Sequence, residues 1–218
     1  MPRPDRFARK PAQSSDGLGK SPTVFVIDDD ADVRLSMKDL LISAGFRCET
    51  FAAAEDFLRV LRSDSAGCII LDVSLPGMNG LDFQQRLEEG GIRIPIIFLT
   101  AHGDIPMTVS AMKSGAEEFF TKPFDDEQLL GAVQRALARD RALGEKRLEI
   151  AAVRSRFELL TPRERQVMAL VLTGMLNKQI AAELGTSVIT IKVHRAQMMR
   201  KMQAGSLLEL SKMAEKLR

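Results

Sequence analysis

Five polar side chains stand where apolar runs end. Asp28 and Asp29 follow Thr23-Val24-Phe25-Val26-Ile27, and Asp72 follows Cys68-Ile69-Ile70-Leu71. Thr100 follows Pro95-Ile96-Ile97-Phe98-Leu99, and Lys122 follows the run from Glu117 to Thr121. Three carboxylates in one crevice repel one another and raise one another's pKa unless a cation joins them. Oxygen-only ligands in a partly solvated cleft favour a hard ion, Mg²⁺ above all. An aspartate held beside Mg²⁺ and a lysine can attack phosphorus and form an acyl phosphate. Asp72 is the central carboxylate and the candidate nucleophile. Lys122 would neutralise phosphoryl oxygens, and the Thr100 hydroxyl would donate to them. Singly, such residues have plainer explanations: Thr100 or Asp28 as a cap, Lys122 as a surface charge. Shared chemistry is argued by their joint arrival at successive strand tips.

Those tips require a particular scaffold. A short, continuous, β-branched run suits a strand buried on both faces of a parallel sheet. The Pro76-Gly77 and Asn79-Gly80 pairs turn the chain sharply after Asp72, which puts that carboxylate at a mouth. Strands are predicted at Thr23 to Ile27, Arg47 to Phe51, Cys68 to Leu71, Pro95 to Leu99 and Glu117 to Thr121. Between them, helices are predicted at Ala31 to Ala44, Ala54 to Leu61, Leu81 to Leu87 and Pro106 to Met112, with a long helix opening at Asp126. Parallel neighbours need crossovers, and helices usually supply them. The expected fold is an α/β domain with a five-stranded parallel sheet in the flavodoxin-like order 2-1-3-4-5, whose crevice opens at the tips of the first and third strands.

The chain has 218 residues and a formal net charge of +2, so neither sign dominates. Length allows two domains. Between Pro162 and Arg218, however, Lys and Arg outnumber Asp and Glu by about six, an excess that suits nucleic acid. Residues 1–20 are poor in large apolar side chains and are expected to form a disordered tail. The expected divisions are a domain at 21–140, a helical linker at 141–158 and a second domain at 159–218. Cys48 and Cys68 lie in apolar runs without metal-ligand spacing. With no secretory signal and no bilayer-length apolar span, the expected location is cytoplasmic, away from membranes.

From Thr23 to Arg139 the chain resembles the receiver domain of two-component response regulators. The acidic pair Asp28-Asp29, the acceptor Asp72, the hydroxyl residue Thr100 and Lys122-Pro123 occur in that family's order. The resemblance implies Mg²⁺ held by Asp29, Asp72 and the backbone carbonyl of Ser74, with Asp28 completing the acidic set. It also implies a cis Lys122-Pro123 bond and a switch made of Thr100 and the aromatic Phe119. The family's usual tyrosine is absent, so switching would rest on burial of the Phe119 ring. The loop Thr100-Ala101-His102-Gly103-Asp104-Ile105-Pro106 is similar to that of the nitrogen-fixation regulator subgroup.

Beyond the receiver, apolar residues at helical spacing run from Leu129 and Val133 through Leu143 and Leu148 to Val153 and Phe157. One linker helix, or two with a joint near Gly144, fits this pattern. Thr161-Pro162-Arg163-Glu164 then has the form of a capping box that starts a helix ending near Gly174. A second helix from Asn177 to Leu184, the turn Gly185-Thr186-Ser187 and a third helix from Val188 form a helix-turn-helix. A last helix from Leu207 to Leu217 completes an all-α four-helix domain. Ile191, Val188 and Met199 are expected to pack in its core.

Leu160 to Glu164, Asn177 to Ala181 and Thr190 to His194 resemble the LuxR-type helix-turn-helix. In that family the residues matching Lys192 and Val193 face bases, while a third, often basic, contact falls here on Ala196. Lys178, Thr190, His194 and Arg200 are the expected phosphate contacts. Together the two resemblances imply a transcription regulator that takes a phosphoryl group on Asp72 from a sensor histidine kinase. It would then form a homodimer on promoter DNA, with RNA polymerase as a further partner, and have no enzymatic activity beyond its own phosphorylation and dephosphorylation. A Mg²⁺-dependent phosphohydrolase is the rival for the first domain, but it needs an acid-base carboxylate two residues after the nucleophile, where this chain has Ser74. A second rival is a DNA-binding protein indifferent to phosphorylation.

Overall fold

The computed structural model describes residues 22–61, 65–101 and 105–217. The expected tail at 1–20 and the His102-Gly103-Asp104 part of the subgroup loop lie outside the described residues. The chain divides into two compact units, Met1–Asp140 and Arg141–Arg218.

In the first unit the strands are β1 (Thr23–Ile27), β2 (Arg47–Phe51), β3 (Gly67–Asp72), β4 (Ile96–Thr100) and β5 (Glu118–Thr121). They alternate with α1 (Ala31–Ser43), α2 (Ala54–Val60), α3 (Gly80–Glu89) and α4 (Ile105–Lys113), and α5 (Asp126–Glu158) follows. The sheet order is β2-β1-β3-β4-β5, and every pairing is parallel. The three inner strands are buried along their whole length, as their unbroken apolar runs require. The edge strands β2 and β5 are partly exposed.

Strand periodicity sends alternate residues to opposite layers. Phe25, Ile27, Ile69, Leu71 and Phe98 pack with Phe57 and Phe83 on one face. Val24, Val26, Ile70, Ile97 and Leu99 pack with Met37, Leu41, Leu129 and Val133 on the other. Register then aligns the tips: Ile27 pairs with Leu71, Asp72 with Leu99, and Thr100 with Thr121. The exit from β3 is closed by Gly80, whose N–H donates to the Val73 carbonyl at 3.0 Å. A Cβ at Gly80 would lie 2.7 Å from the Asp72 carbonyl oxygen, so only glycine lets α3 start this close to β3.

The linker alternatives resolve in favour of one helix, with Gly144 inside the 33 residues of α5. A mid-helix glycine costs about 1 kcal/mol relative to alanine. That is outweighed by anchoring at both ends: Leu129, Ala132, Val133 and Ala136 belong to the core of the first unit, Val153 and Phe157 to that of the second.

The second unit continues with α6 (Pro162–Leu172), α7 (Asn177–Glu183), α8 (Val188–Met202) and α9 (Leu207–Glu215). The capping box is present, with Thr161 accepting from the Glu164 N–H and Glu164 accepting from the Thr161 N–H. Gly185 makes the turn between α7 and α8 at φ +60°, and Ser187 caps α8. Ile191, Met198 and Met202 are wholly buried, and Met199 packs against them. Val188 does not: it is 37% exposed. As the first residue of α8 it has no preceding helical turn for its side chain to cover, so the core does not close over it.

Candidate functional site

The end of β1 makes an acidic turn. Asp28 Oδ1 accepts the Asp30 N–H at 2.9 Å, and Asp30 Oδ1 caps α1 by accepting the Asp32 and Val33 N–H groups at 2.8 and 3.4 Å. Asp29 lies between these two turn-forming carboxylates and is exposed. Arg34, in the first turn of α1, reaches back so that its Nη1 donates to the carbonyl oxygens of Asp28 and Asp29 at 2.7 and 2.8 Å.

Asp72 ends β3 and is 7% exposed. Its Oδ1 accepts the Ser74 N–H at 2.9 Å, which folds the chain around the carboxylate. Its Oδ2 lies 2.8 Å from Lys122 Nζ, and the same ammonium lies 2.7 Å from Asp28 Oδ2. Lys122 is delivered by the tip of β5, where its N–H donates to the Thr100 carbonyl at 2.8 Å. The Lys122-Pro123 bond is cis. Thr100 is fully buried at the tip of β4, one residue beyond the partner of Asp72. Phe119 is half-buried on β5, its ring centroid 6.1 Å from that of Phe98.

Burial pushes the Asp28 carboxyl above its ordinary pKa, and the hydrogen bonds from Lys122 and the Asp30 N–H only partly offset it. Burial acts the opposite way on Lys122. There the hydrogen bonds and charges of Asp28 and Asp72 prevail, and the ammonium is held above its usual pKa. One carboxylate oxygen each from Asp28, Asp29 and Asp72 can be chosen so that all lie within 4.8 Å of one another. An all-oxygen, strongly anionic donor set of that size fits a hard divalent ion.

In the second unit Lys192, Val193, Lys178 and Arg200 are exposed, whereas Thr190 and His194 are half-buried. The Thr190 hydroxyl shares a 2.8 Å hydrogen bond with Ser187 Oγ at the start of α8. His194 Nδ1 is buried without a hydrogen-bond partner among the described residues, which leaves Nε2 as the atom available for an outside contact. Sequence reasoning missed the bonds that hold α6, α7 and α8 together. Arg195 Nη1 donates to Asn177 Oδ1 at 3.0 Å and ties α8 to α7, while Arg163 Nη2 donates to the Leu184 carbonyl at 2.7 Å. Lys201 Nζ meets the buried Glu164 carboxylate at 2.7 Å, tying α8 to α6. Arg34 was missed for the same reason as Arg163: both bond backbone carbonyls, which no residue type advertises. The capping box did mark Glu164, though not its second partner.

Comparison with known proteins agrees with both units. Residues 24–134 match the family described as "Response regulator receiver domain", and residues 158–214 match "Bacterial regulatory proteins, luxR family". Nodulation protein W of Bradyrhizobium diazoefficiens is 50% identical over 194 residues, covering 89% of this chain and 86% of that protein. Transcriptional regulatory protein FixJ of the same organism is 41% identical over 191 residues, covering 88% of this chain and 93% of that protein. Among solved structures, response regulator StyR superposes with a TM-score of 0.83 at 46% identity, covering 90% of this chain and all of that one. This chain therefore belongs to the response regulators that join a receiver domain to a LuxR-type DNA-binding domain.

Proposed function

We propose that this protein takes a phosphoryl group on Asp72 from a sensor histidine kinase and, so modified, binds promoter DNA as a dimer. The observation that carries the proposal is the single Lys122 ammonium shared by Asp28 and Asp72 at 2.7 and 2.8 Å, beside a cluster of carboxylate oxygens. Asp28, Asp29 and Asp72, with the Ser74 carbonyl, would hold Mg²⁺, which supplies charge for a transferring phosphoryl group. An Asp72 carboxylate oxygen forms the new bond to phosphorus as the bond to the donor's leaving group breaks, and the leaving group keeps the electron pair. Lys122, already held protonated, then pairs with a phosphoryl oxygen. The Thr100 hydroxyl at the neighbouring strand tip donates to another, and Phe119 repacks behind it.

The added charge biases two arrangements of the β4–β5 end of the sheet, a population shift with no outside substrate turned over. Lys192 and Val193 on α8 would contact bases, and Lys178, Thr190, His194 and Arg200 would contact phosphates. RNA polymerase is the partner this role implies, and the cytoplasm is the compartment in which a kinase and promoters meet. No helix among the described residues is long and apolar enough to cross a membrane.

The test is phosphate uptake from a small acyl phosphate. Labelling should require Mg²⁺ and vanish in Asp72→Asn; labelling that survives the substitution defeats the proposal.

A further inference from the structure

The outward face of α8 is more apolar than its phosphate-binding role needs. At about 100° per residue, Ile189, Lys192, Val193, Ala196 and Arg200 fall on one side of the helix. The wholly buried Ile191, Met198 and Met202 fall on the other. Ile189 is 75% exposed and Val193 49% exposed, and Lys192 lies beside them with its side chain in solvent. An isolated exposed apolar residue needs no explanation. Here, however, Ile189 occupies the first turn of the second helix of a helix-turn-helix, whose N-terminal residues reach base edges in the major groove. The apolar feature a base edge presents there is the C5-methyl group of thymine, and aliphatic side chains are suited to it.

We infer that Ile189 is a base-reading residue that recognises a thymine methyl, extending the Lys192–Val193 pair toward the start of α8. The inference rests on the DNA-binding role proposed above. With Ala196 in the same stripe, Lys192 is the cation placed to meet a guanine edge in the upper half of the face, and the aliphatic residues around it favour a thymine-containing half-site. No core contact depends on Ile189, so its replacement leaves α8 folded.

The test begins with the full-length protein, treated with a small acyl phosphate and Mg²⁺, selecting from a pool of random-sequence duplexes. Thymines in the enriched site are then replaced one at a time by deoxyuridine, which removes only the methyl. For the unaltered protein, one such replacement per half-site beyond any read by Val193 should weaken binding about fourfold. In Ile189→Ala that same replacement should have no effect, whereas Ile189→Leu should retain most of it. Equal binding of thymine and deoxyuridine duplexes throughout, or full methyl dependence in Ile189→Ala, overturns the inference and leaves DNA binding standing. Failure to enrich any sequence overturns the DNA-binding role and the inference with it.

Discussion

At the scale of single residues, the acidic pocket sets the need for charge against the cost of burying it. Asp28 is 2% exposed and its carboxyl is held above the ordinary carboxylate pKa, chiefly by burial. A raised folded pKa means that the charged form is penalised by folding, and the penalty is fully present above the folded pKa. Asp28→Asn should therefore raise stability at pH 7 without divalent ions, read as a higher denaturant midpoint in chelator. It should also abolish any gain in that midpoint on adding Mg²⁺; an unchanged Mg²⁺ effect would remove Asp28 from the cation site. Lys122 faces the opposite situation, since its two carboxylate partners hold it protonated. Lys122→Met should leave Asp72 in place but cut labelling by a small acyl phosphate about a hundredfold at saturating Mg²⁺. A loss confined to subsaturating Mg²⁺ would instead assign Lys122 to cation binding. Both residues were legible in the sequence because they arrive together with Asp72 and Thr100 at the ends of strand-like runs. Arg34 was not, because its partners are the carbonyls of Asp28 and Asp29.

At the scale of elements, the strands were legible because burial on both faces leaves β1, β3 and β4 as unbroken apolar runs. Their ends shifted by a residue or so: β3 includes Asp72, and β4 runs from Ile96 to Thr100. Pro95 lacks the N–H that a ladder position needs. The linker was less legible, because Gly144 argues locally for a break while the packing of Val153 and Phe157, remote from it, argues for continuity. Likewise the cap of α6 could be read from four adjacent residues, yet its tie to α8 through Lys201 could not. That tie carries a prediction. Burial alone would raise the Glu164 pKa, but hydrogen bonds from Lys201 and from Thr161 bring it below the ordinary value. A folded pKa lowered in this way gives stability that is fully present above about pH 4.5 and is lost as pH falls through the folded value. Thermal unfolding of the α6–α9 unit within the full chain should therefore lose stability below that pH. Glu164→Gln should cost about 2 kcal/mol at neutral pH and flatten the acid slope. An acid slope unchanged by the substitution would mean that other carboxylates govern it.

At the scale of the whole molecule, the chain joins a domain that can carry one extra anionic group to a domain with a local basic excess, and α5 contributes to both cores. A phosphoryl group alone cannot strengthen DNA binding, since it adds repulsion toward a polyanion. On the function proposed above, the gain comes from a change of state that presents two helix-turn-helix units together. Linking two half-site contacts makes the second one intramolecular, so affinity can rise by about a hundredfold or more without any new contact. Geometry makes this testable. Paired recognition helices need half-sites about one helical turn apart, or a multiple of it. Phosphodonor and Mg²⁺ should therefore double the solution mass and tighten binding to a selected two-half-site duplex, while leaving affinity for a single half-site nearly unchanged. Inserting about half a helical turn between the half-sites turns them to opposite faces of the DNA and should erase the gain; inserting a full turn should restore part of it. Asp72→Asn should bind every one of these duplexes as the untreated protein does. Tightening that is equal for single and paired half-sites would place the effect of phosphorylation within one protomer, in the positioning of α8, and would exclude assembly on DNA as its cause.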